Sequence, residues 1–277
     1  MKTRELGIHL RLENSYLHML EVAHAYGLRS CQFFFTPQST GKYLQLTPED
    51  KKVFLDFRRK HFSTLFAHGS YWITPATGNE VSAQASLGIL KKELALARQL
   101  EINYLVLHAG SAKNFSDKND GIKAMATMLN EVLEDENNVK VLIENTAHAG
   151  KAVCSDLKDF VTLRKLLREP EKTSFCIDTT HAFAYGYDLE ATDDFVAILN
   201  KTMGIENIKL IHLNDSASER GSRIDAHLPP GKGLIGKQIL KRFVRHPKLK
   251  NVPIIIEPPV LDEREMIDMI EEVKTWL

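Results

Sequence analysis

Short apolar runs rich in β-branched and aromatic residues alternate along the chain with longer stretches of helical period. The short runs predict strands at 5–12, 30–36, 63–69, 104–109, 139–145, 173–179, 207–214 and 252–258. Between them the spacing predicts helices at 14–26, 48–61, 81–101, 119–136, 155–168, 193–203 and 235–246, and a last one at 261–277. Thr47-Pro48-Glu49-Asp50 sets a capping hydroxyl before a proline at the first helical position. Ser155-Asp156 is expected to open another helix, with an acid near its positive end. Residues 215–234 fit neither pattern. They are polar and glycine-rich, and are expected to form an active-site loop.

Eight strand–helix units of roughly 35 residues are the count for an α/β (β/α)8 TIM barrel. An open doubly wound sheet is the alternative, because alternation alone does not establish closure. No repeat, low-complexity tract or linker divides the chain, so a single domain over 1–277 is expected.

Composition narrows the function. Lys and Arg number 36, as do Asp and Glu, so formal charge is zero and a generally basic nucleic-acid binder is excluded. The three cysteines, Cys31, Cys154 and Cys176, lack CxxC or zinc-knuckle spacing. That excludes a disulfide scaffold or a thiolate zinc site and suits a reducing compartment. The N-terminal stretch has no signal-peptide pattern, and the longest apolar run, at 252–256, is of strand length. No secretion, no membrane association and a cytoplasmic (bacterial nucleoid) or nuclear location are expected.

The chemistry lies at the strand ends. His68, His108, Glu144, Asp178, His212 and Glu257 each follow an apolar run, and His181 stands three residues after Asp178. In a barrel all carboxyl strand ends open on one face, so these groups would converge there. Gathering Glu144, Asp178 and Glu257 without cations is costly through repulsion and desolvation. Imidazole and carboxylate without thiolate suit Zn, Mn or Fe. Asp225-Ala226-His227 adds an i, i+2 pair that points to one side of an extended segment. With His181 it makes an open three-ligand set.

The segments that carry these residues are His68-Gly69-Ser70-Tyr71, Leu107-His108-Ala109-Gly110-Ser111, Ile143-Glu144-Asn145-Thr146-Ala147, Cys176-Ile177-Asp178-Thr179-Thr180-His181, His212-Leu213-Asn214-Asp215-Ser216 and Gly221 to His227. In order, from about residue 5 to the end, they resemble the endonuclease IV family of AP endonucleases. The resemblance implies a (β/α)8 barrel with three zinc ions that cleaves DNA 5′ to abasic sites. It places one metal on His68, His108 and Glu144, and a second on Glu144, Asp178, His212 and Glu257. The third goes to His181, Asp225 and His227. Glu144 and Glu257 are taken as catalytic. Tyr71, Gln38, Arg220, Arg223 and Lys232 are the expected DNA contacts. The cofactors implied are three divalent ions, zinc first and Mn or Fe after it. The partner is duplex DNA with abasic sites, the chain acting as a monomer. Three divalent ions against four ligand carboxylates leave a small positive excess, matched to one phosphodiester anion.

The chain departs from the family in three places. Thr36-Pro37-Gln38-Ser39-Thr40-Gly41 stands where the family usually has a basic Asn-Pro-Arg-like stretch whose arginine enters the DNA. Ala109 replaces a common proline, and Ala226 a common arginine.

Other features read more simply. Gly231-Lys232-Gly233-Leu234-Ile235-Gly236 spells GxGxxG, but it follows Pro229-Pro230 instead of a strand and is expected to be a flexible loop. The basic run from Lys237 to Lys250 reads as a solvated helix face. His9 and His148 are assigned ordinary hydrogen bonds. The rival function is a metal-dependent sugar isomerase or epimerase, whose four-ligand set would be Glu144, Asp178, His212 and Glu257. That leaves His68, His108, His181, Asp225 and His227 unused. A barrel that only binds DNA would have no need of the costly carboxylates.

Overall fold

The computed structural model describes residues 4–134 and 138–277. Eight parallel strands close a barrel. In chain order they are β1 (Leu6–Leu10), β2 (Ser30–Phe34), β3 (Thr64–His68), β4 (Tyr104–His108), β5 (Lys140–Glu144), β6 (Thr173–Asp178), β7 (Ile208–His212) and, after two short strands β8 (Asp215–Ser216) and β9 (His227–Leu228) that stand apart, β10 (Ile254–Ile256). Closure is made by β1, which pairs with β10 through Leu6↔Ile254 and with β2 through Gly7↔Ser30. Gly7 is required there, because a Cβ would stand 2.5 Å from the Ser30 carbonyl oxygen and 2.6 Å from Ile255 Cδ1. The open doubly wound alternative is thereby excluded, and the single barrel holds.

Helices α1 (Tyr16–Ala25), α2 (Pro48–His61), α3 (Glu80–Gln99), α4 (Lys118–Val132), α5 (Asp159–Leu166), α6 (Thr179–Tyr185), α7 (Thr192–Thr202), α8 (Lys237–Arg245) and α9 (Glu263–Lys274) lie between and after the strands. α2 has the expected bounds, and its start is a full capping box. Thr47 Oγ1 accepts from Asp50 N at 3.1 Å, and Asp50 Oδ2 accepts from Thr47 N at 3.1 Å. Residues 135–136 of the expected helix 119–136 lie outside the described residues.

Several expectations are corrected. Ser155 and Asp156 do not open a helix: the Ser155 hydroxyl is taken by Thr146 Oγ1 at 2.7 Å, and α5 begins at Asp159. The short helix α6, absent from the sequence reading, starts directly on Asp178 and ends at Gly186 in the left-handed conformation. The loop 215–234 contains a two-stranded ribbon, β8 against β9, paired Asp215↔Leu228 and Ser216↔His227. The basic run is the largely exposed face expected, and two of its arginines also make specific contacts. Arg242 donates to Thr192 Oγ1 at 2.9 Å and Arg245 to the Trp276 carbonyl at 2.7 Å, tying α8 to its neighbours.

Alternation along each strand sorts the core into two parts. Side chains facing the helices, such as Leu65, Leu105, Ile143, Ile177 and Ile211, join the large outer core. Those facing inward form a separate layer of Phe66, Val106, Leu142, Cys176, Leu210 and Ile255. Two residues further on, each of these strands or the residue just beyond it turns a polar group inward: His68, His108, Glu144, Asp178, His212 and Glu257. The apolar layer is the floor of the mouth, and the period of two is what places these polar groups above it.

Candidate metal centre

Glu144, on β5, is the hub. It is 1% exposed, and its Oε2 lies 3.2 Å from the Nε2 of both His68 and His108. Its Oε1 lies 3.1 Å from His212 Nδ1, which is 3.3 Å from Glu257 Oε2. His181, in the first turn of α6, has Nε2 3.1 Å from Asp225 Oδ2, and Asp225 Oδ1 is 3.1 Å from His227 Nε2. Asp178 does double duty: Oδ1 accepts from His181 N at 2.6 Å as the α6 cap, and Oδ2 faces His227 Nε2 at 3.7 Å. The ribbon holds His227 in place, with the Ala217 N–H donating to the Ala226 carbonyl at 2.9 Å.

The ligand atoms gather into metal-sized groups: His68, His108 and Glu144; Glu144, Asp178, His212 and Glu257; and Asp178, His181 and His227, with Asp225 against the two imidazoles. The donor set fits cations. His68 Nδ1 donates to the Gly69 carbonyl at 2.9 Å and His181 Nδ1 to the Asn145 carbonyl at 2.8 Å. Their Nε2 lone pairs are left facing carboxylate oxygens, an arrangement a cation between them stabilises. His227 Nε2 is buried and lies 3.1 Å from Asp225 Oδ1 without the angles of a hydrogen bond. Cys176 also approaches Glu144 and His212, but burial pushes its thiol up to about 12, so it stays protonated and part of the floor.

Electrostatics point the same way. Burial opposes ionisation of Glu144 and Glu257, but His212 chiefly overrides it and holds both carboxyls well below the usual range. Asp225 is likewise held low by His181 and His227 against its burial. Burial alone would lower His181 and His212, yet the surrounding acids raise both well above the ordinary imidazole value. Without metal, protons supply the positive charge these carboxylates require, and a metal would displace them.

The mouth opens into a cavity of about 460 Å³ lined by His68, His108, His181, Asp225, His227 and Glu257 with His9, Arg11, Phe34, Gln38 and Tyr71. A second cavity of about 380 Å³ lies on the far side of Tyr71 and His108. Among the expected DNA contacts, Tyr71 is 68% exposed and packs its ring on Phe34, and Gln38 is on the cavity wall. The other three do not line either cavity. Arg220 pairs with Asp188 at 2.8 Å, Arg223 lays its guanidinium 3.6 Å over the Tyr185 ring, and Lys232 sits exposed in a turn.

Asn214, Asn145 and Gln32 were not picked out from the sequence, whereas His9 makes the hydrogen bond expected of it. Asn214 Nδ2 donates to Asp178 Oδ2 at 2.6 Å and its Oδ1 accepts from Glu257 N at 2.8 Å. Asn145 clasps the Asp178 backbone through Oδ1 and Nδ2. Gln32 and His9 complete the floor beside Glu257. Asn145 and Asn214 carried a positional signal, one and two residues after Glu144 and His212, whereas Gln32 is level with His9 and Phe66 and carried none.

A family model described as xylose isomerase-like TIM barrel matches residues 20–276. A probable endonuclease 4 from Thermosipho melanesiensis is 31% identical over 275 residues, covering 96% of each chain. One from Nitrosopumilus maritimus is 32% identical, covering 98% of this chain and 99% of the relative. Among solved structures, endonuclease IV from Thermus thermophilus superposes with a TM-score of 0.87 at 26% identity, over 98% of both chains. A D-tagatose 3-epimerase-like protein superposes with a TM-score of 0.76 at 18% identity, covering 98% of this chain and 96% of that one, a likeness of fold alone.

Proposed function

The chain belongs to the xylose isomerase-like TIM barrel family, on the side of its endonuclease 4 members, and from that premise we propose a metal-dependent endonuclease that hydrolyses the phosphodiester 5′ to an abasic site in duplex DNA. It is a DNA-cleaving hydrolase. The observation that carries the reading is the overlap of carboxylate and imidazole groups around Glu144, with ring nitrogens 3.1–3.2 Å from carboxylate oxygens.

In this reading three divalent ions, zinc foremost, are held by His68, His108 and Glu144; by Glu144, Asp178, His212 and Glu257; and by His181, Asp225 and His227. When bound, such ions activate water and neutralise charge on the phosphodiester. The protein's residues do the remaining work. Glu144 joins two ligand groups and fixes their separation. Glu257, on the cavity wall and held as a carboxylate, orients the attacking water. Asn145 and Asn214 keep Asp178 and Glu257 from turning away. Tyr71 presents an exposed ring at the rim against which an unstacked base can lie, with Gln38 beside it. Arg220, Arg223 and Lys232 flank this path as more distant backbone contacts.

The sugar epimerase alternative uses Glu144, Asp178, His212 and Glu257 alone and gives the other five ligands nothing to do. The test is incubation with an end-labelled duplex that holds one tetrahydrofuran abasic analogue, with and without chelator. Incision 5′ to the analogue, abolished by chelator and restored by zinc, is expected. Absence of chelator-sensitive incision would overturn the assignment.

A further inference from the structure

Gln32 is fully buried on the inward face of β2, in register with His9 on β1. Its amide meets three groups of the mouth. The nitrogen lies 2.9 Å from Glu257 Oε1 and 2.8 Å from His9 Nδ1. The oxygen lies 3.0 Å from His212 Nε2.

The amide has one workable orientation. A carboxylate only accepts, so the amide nitrogen must face Glu257. Its second hydrogen then points to His9 Nδ1, which must be bare to receive it. The 3.4 Å contact between His9 Nδ1 and Glu257 Oε1 is thus one between two acceptors, both served by Gln32. A neutral imidazole with a bare Nδ1 carries its proton on Nε2. On the other side the amide oxygen accepts from His212 Nε2–H. That leaves His212 Nδ1, 3.1 Å from Glu144 and 3.3 Å from Glu257, as the nitrogen turned to the metal centre.

We propose that Gln32 is a positioning residue that keeps the proton of both His9 and His212 on Nε2, and that His9 Nε2–H donates a hydrogen bond to a phosphodiester oxygen of the substrate. The second half rests on the function proposed above. His9 forms part of the cavity wall, its ring is held against Phe34 at 4.7 Å between centroids, and its Nε2 has no partner among the described hydrogen bonds. The other imidazoles of the mouth face carboxylates. His9 alone among them is braced from behind with its donor left over. A neutral N–H can meet an anionic oxygen here without placing another cation beside the metals.

Two measurements test this. In zinc-loaded protein labelled with ¹⁵N-histidine, two-bond ¹H–¹⁵N spectra report which ring nitrogen carries the proton, His9 being assigned from His9→Gln. The expected pattern is a bare Nδ1 and protonated Nε2 for His9. In Gln32→Glu the new acceptor draws that proton to Nδ1. A wild-type His9 protonated on Nδ1 overturns the proposal. In kinetics, His9→Ala should raise KM for the abasic duplex about tenfold, with kcat and zinc content nearly unchanged. His9→Gln, whose amide reaches the Nε2 position, should restore KM to within about twofold. An unchanged KM in His9→Ala refutes the substrate contact. Should the wild-type protein leave the duplex uncut, the function proposed above fails, while the spectra still decide the role of Gln32.

Discussion

Glu93 is a buried acid outside the metal centre, held without a cationic partner among the described ion pairs. It is 1% exposed on α3, where Tyr43 donates its hydroxyl to Oε1 at 3.3 Å and the Ser70 N–H donates to Oε2 at 3.2 Å. Lys92 lies over the Tyr43 ring instead of pairing with the acid. Burial therefore pushes the Glu93 carboxyl from 4.5 up to about 7. The folded state holds a proton that the unfolded chain has released, so this contribution is complete below about pH 4.5 and is lost as pH rises through about 7. The size is at most about 3 kcal/mol. Glu93→Gln should flatten the fall in stability between pH 5 and pH 8 seen by urea unfolding. Parallel profiles for the two proteins would show that Glu93 is not the cause.

The irregular stretch after β7 is built around one acid. Asp215 is fully buried, and its carboxylate accepts from the N–H groups of Ser216, Gly231, Ile235 and Gly236 at 2.8–3.3 Å. Gly233 allows the approach, since a Cβ would lie 2.4 Å from the Ser216 carbonyl oxygen and 2.7 Å from Asp215 Oδ1. The GxGxxG pattern is thus an anion cradle that holds the protein's own carboxylate. Asp215→Ala leaves four N–H donors without their acceptor, those of Ser216 and Ile235 in buried residues, and should cost about 2–4 kcal/mol. Because Asp215 pairs with Leu228 beside His227, metal content should also drop. Full metal retention at unchanged melting temperature would contradict this account. The sequence revealed the strands and the metal-capable side chains at their ends because apolar runs and a period of two are local signals. It concealed α6, because Asp178 ends a strand and caps a helix at once, leaving no loop between them. It concealed the ribbon, whose two-residue strands carry no period. It concealed Gln32 too, since only closure of the barrel brings Glu257 and His212 to a lone glutamine on β2.

Charge and fold are joined at one face of the barrel. Glu144, Asp178 and Glu257 stand at the carboxyl ends of β5, β6 and β10, with Asp225 beside them from the loop before β9, and bound metal would relieve their repulsion. No helix among the described residues is long and apolar enough to cross a membrane. Stripping the protein with chelator should lower its melting temperature by roughly 10 °C, and zinc should restore it, as differential scanning fluorimetry would record. Identical melting curves would mean that the carboxylates are balanced by protons alone. The ligands run from His68 on β3 to Glu257, just beyond β10, and β10 is the strand that seals the barrel against β1. During synthesis the centre therefore cannot be completed until nearly the whole chain has left the ribosome. A nascent or truncated chain has no complete centre with which to cut DNA, so closure of the barrel sets the moment at which the nuclease comes into being.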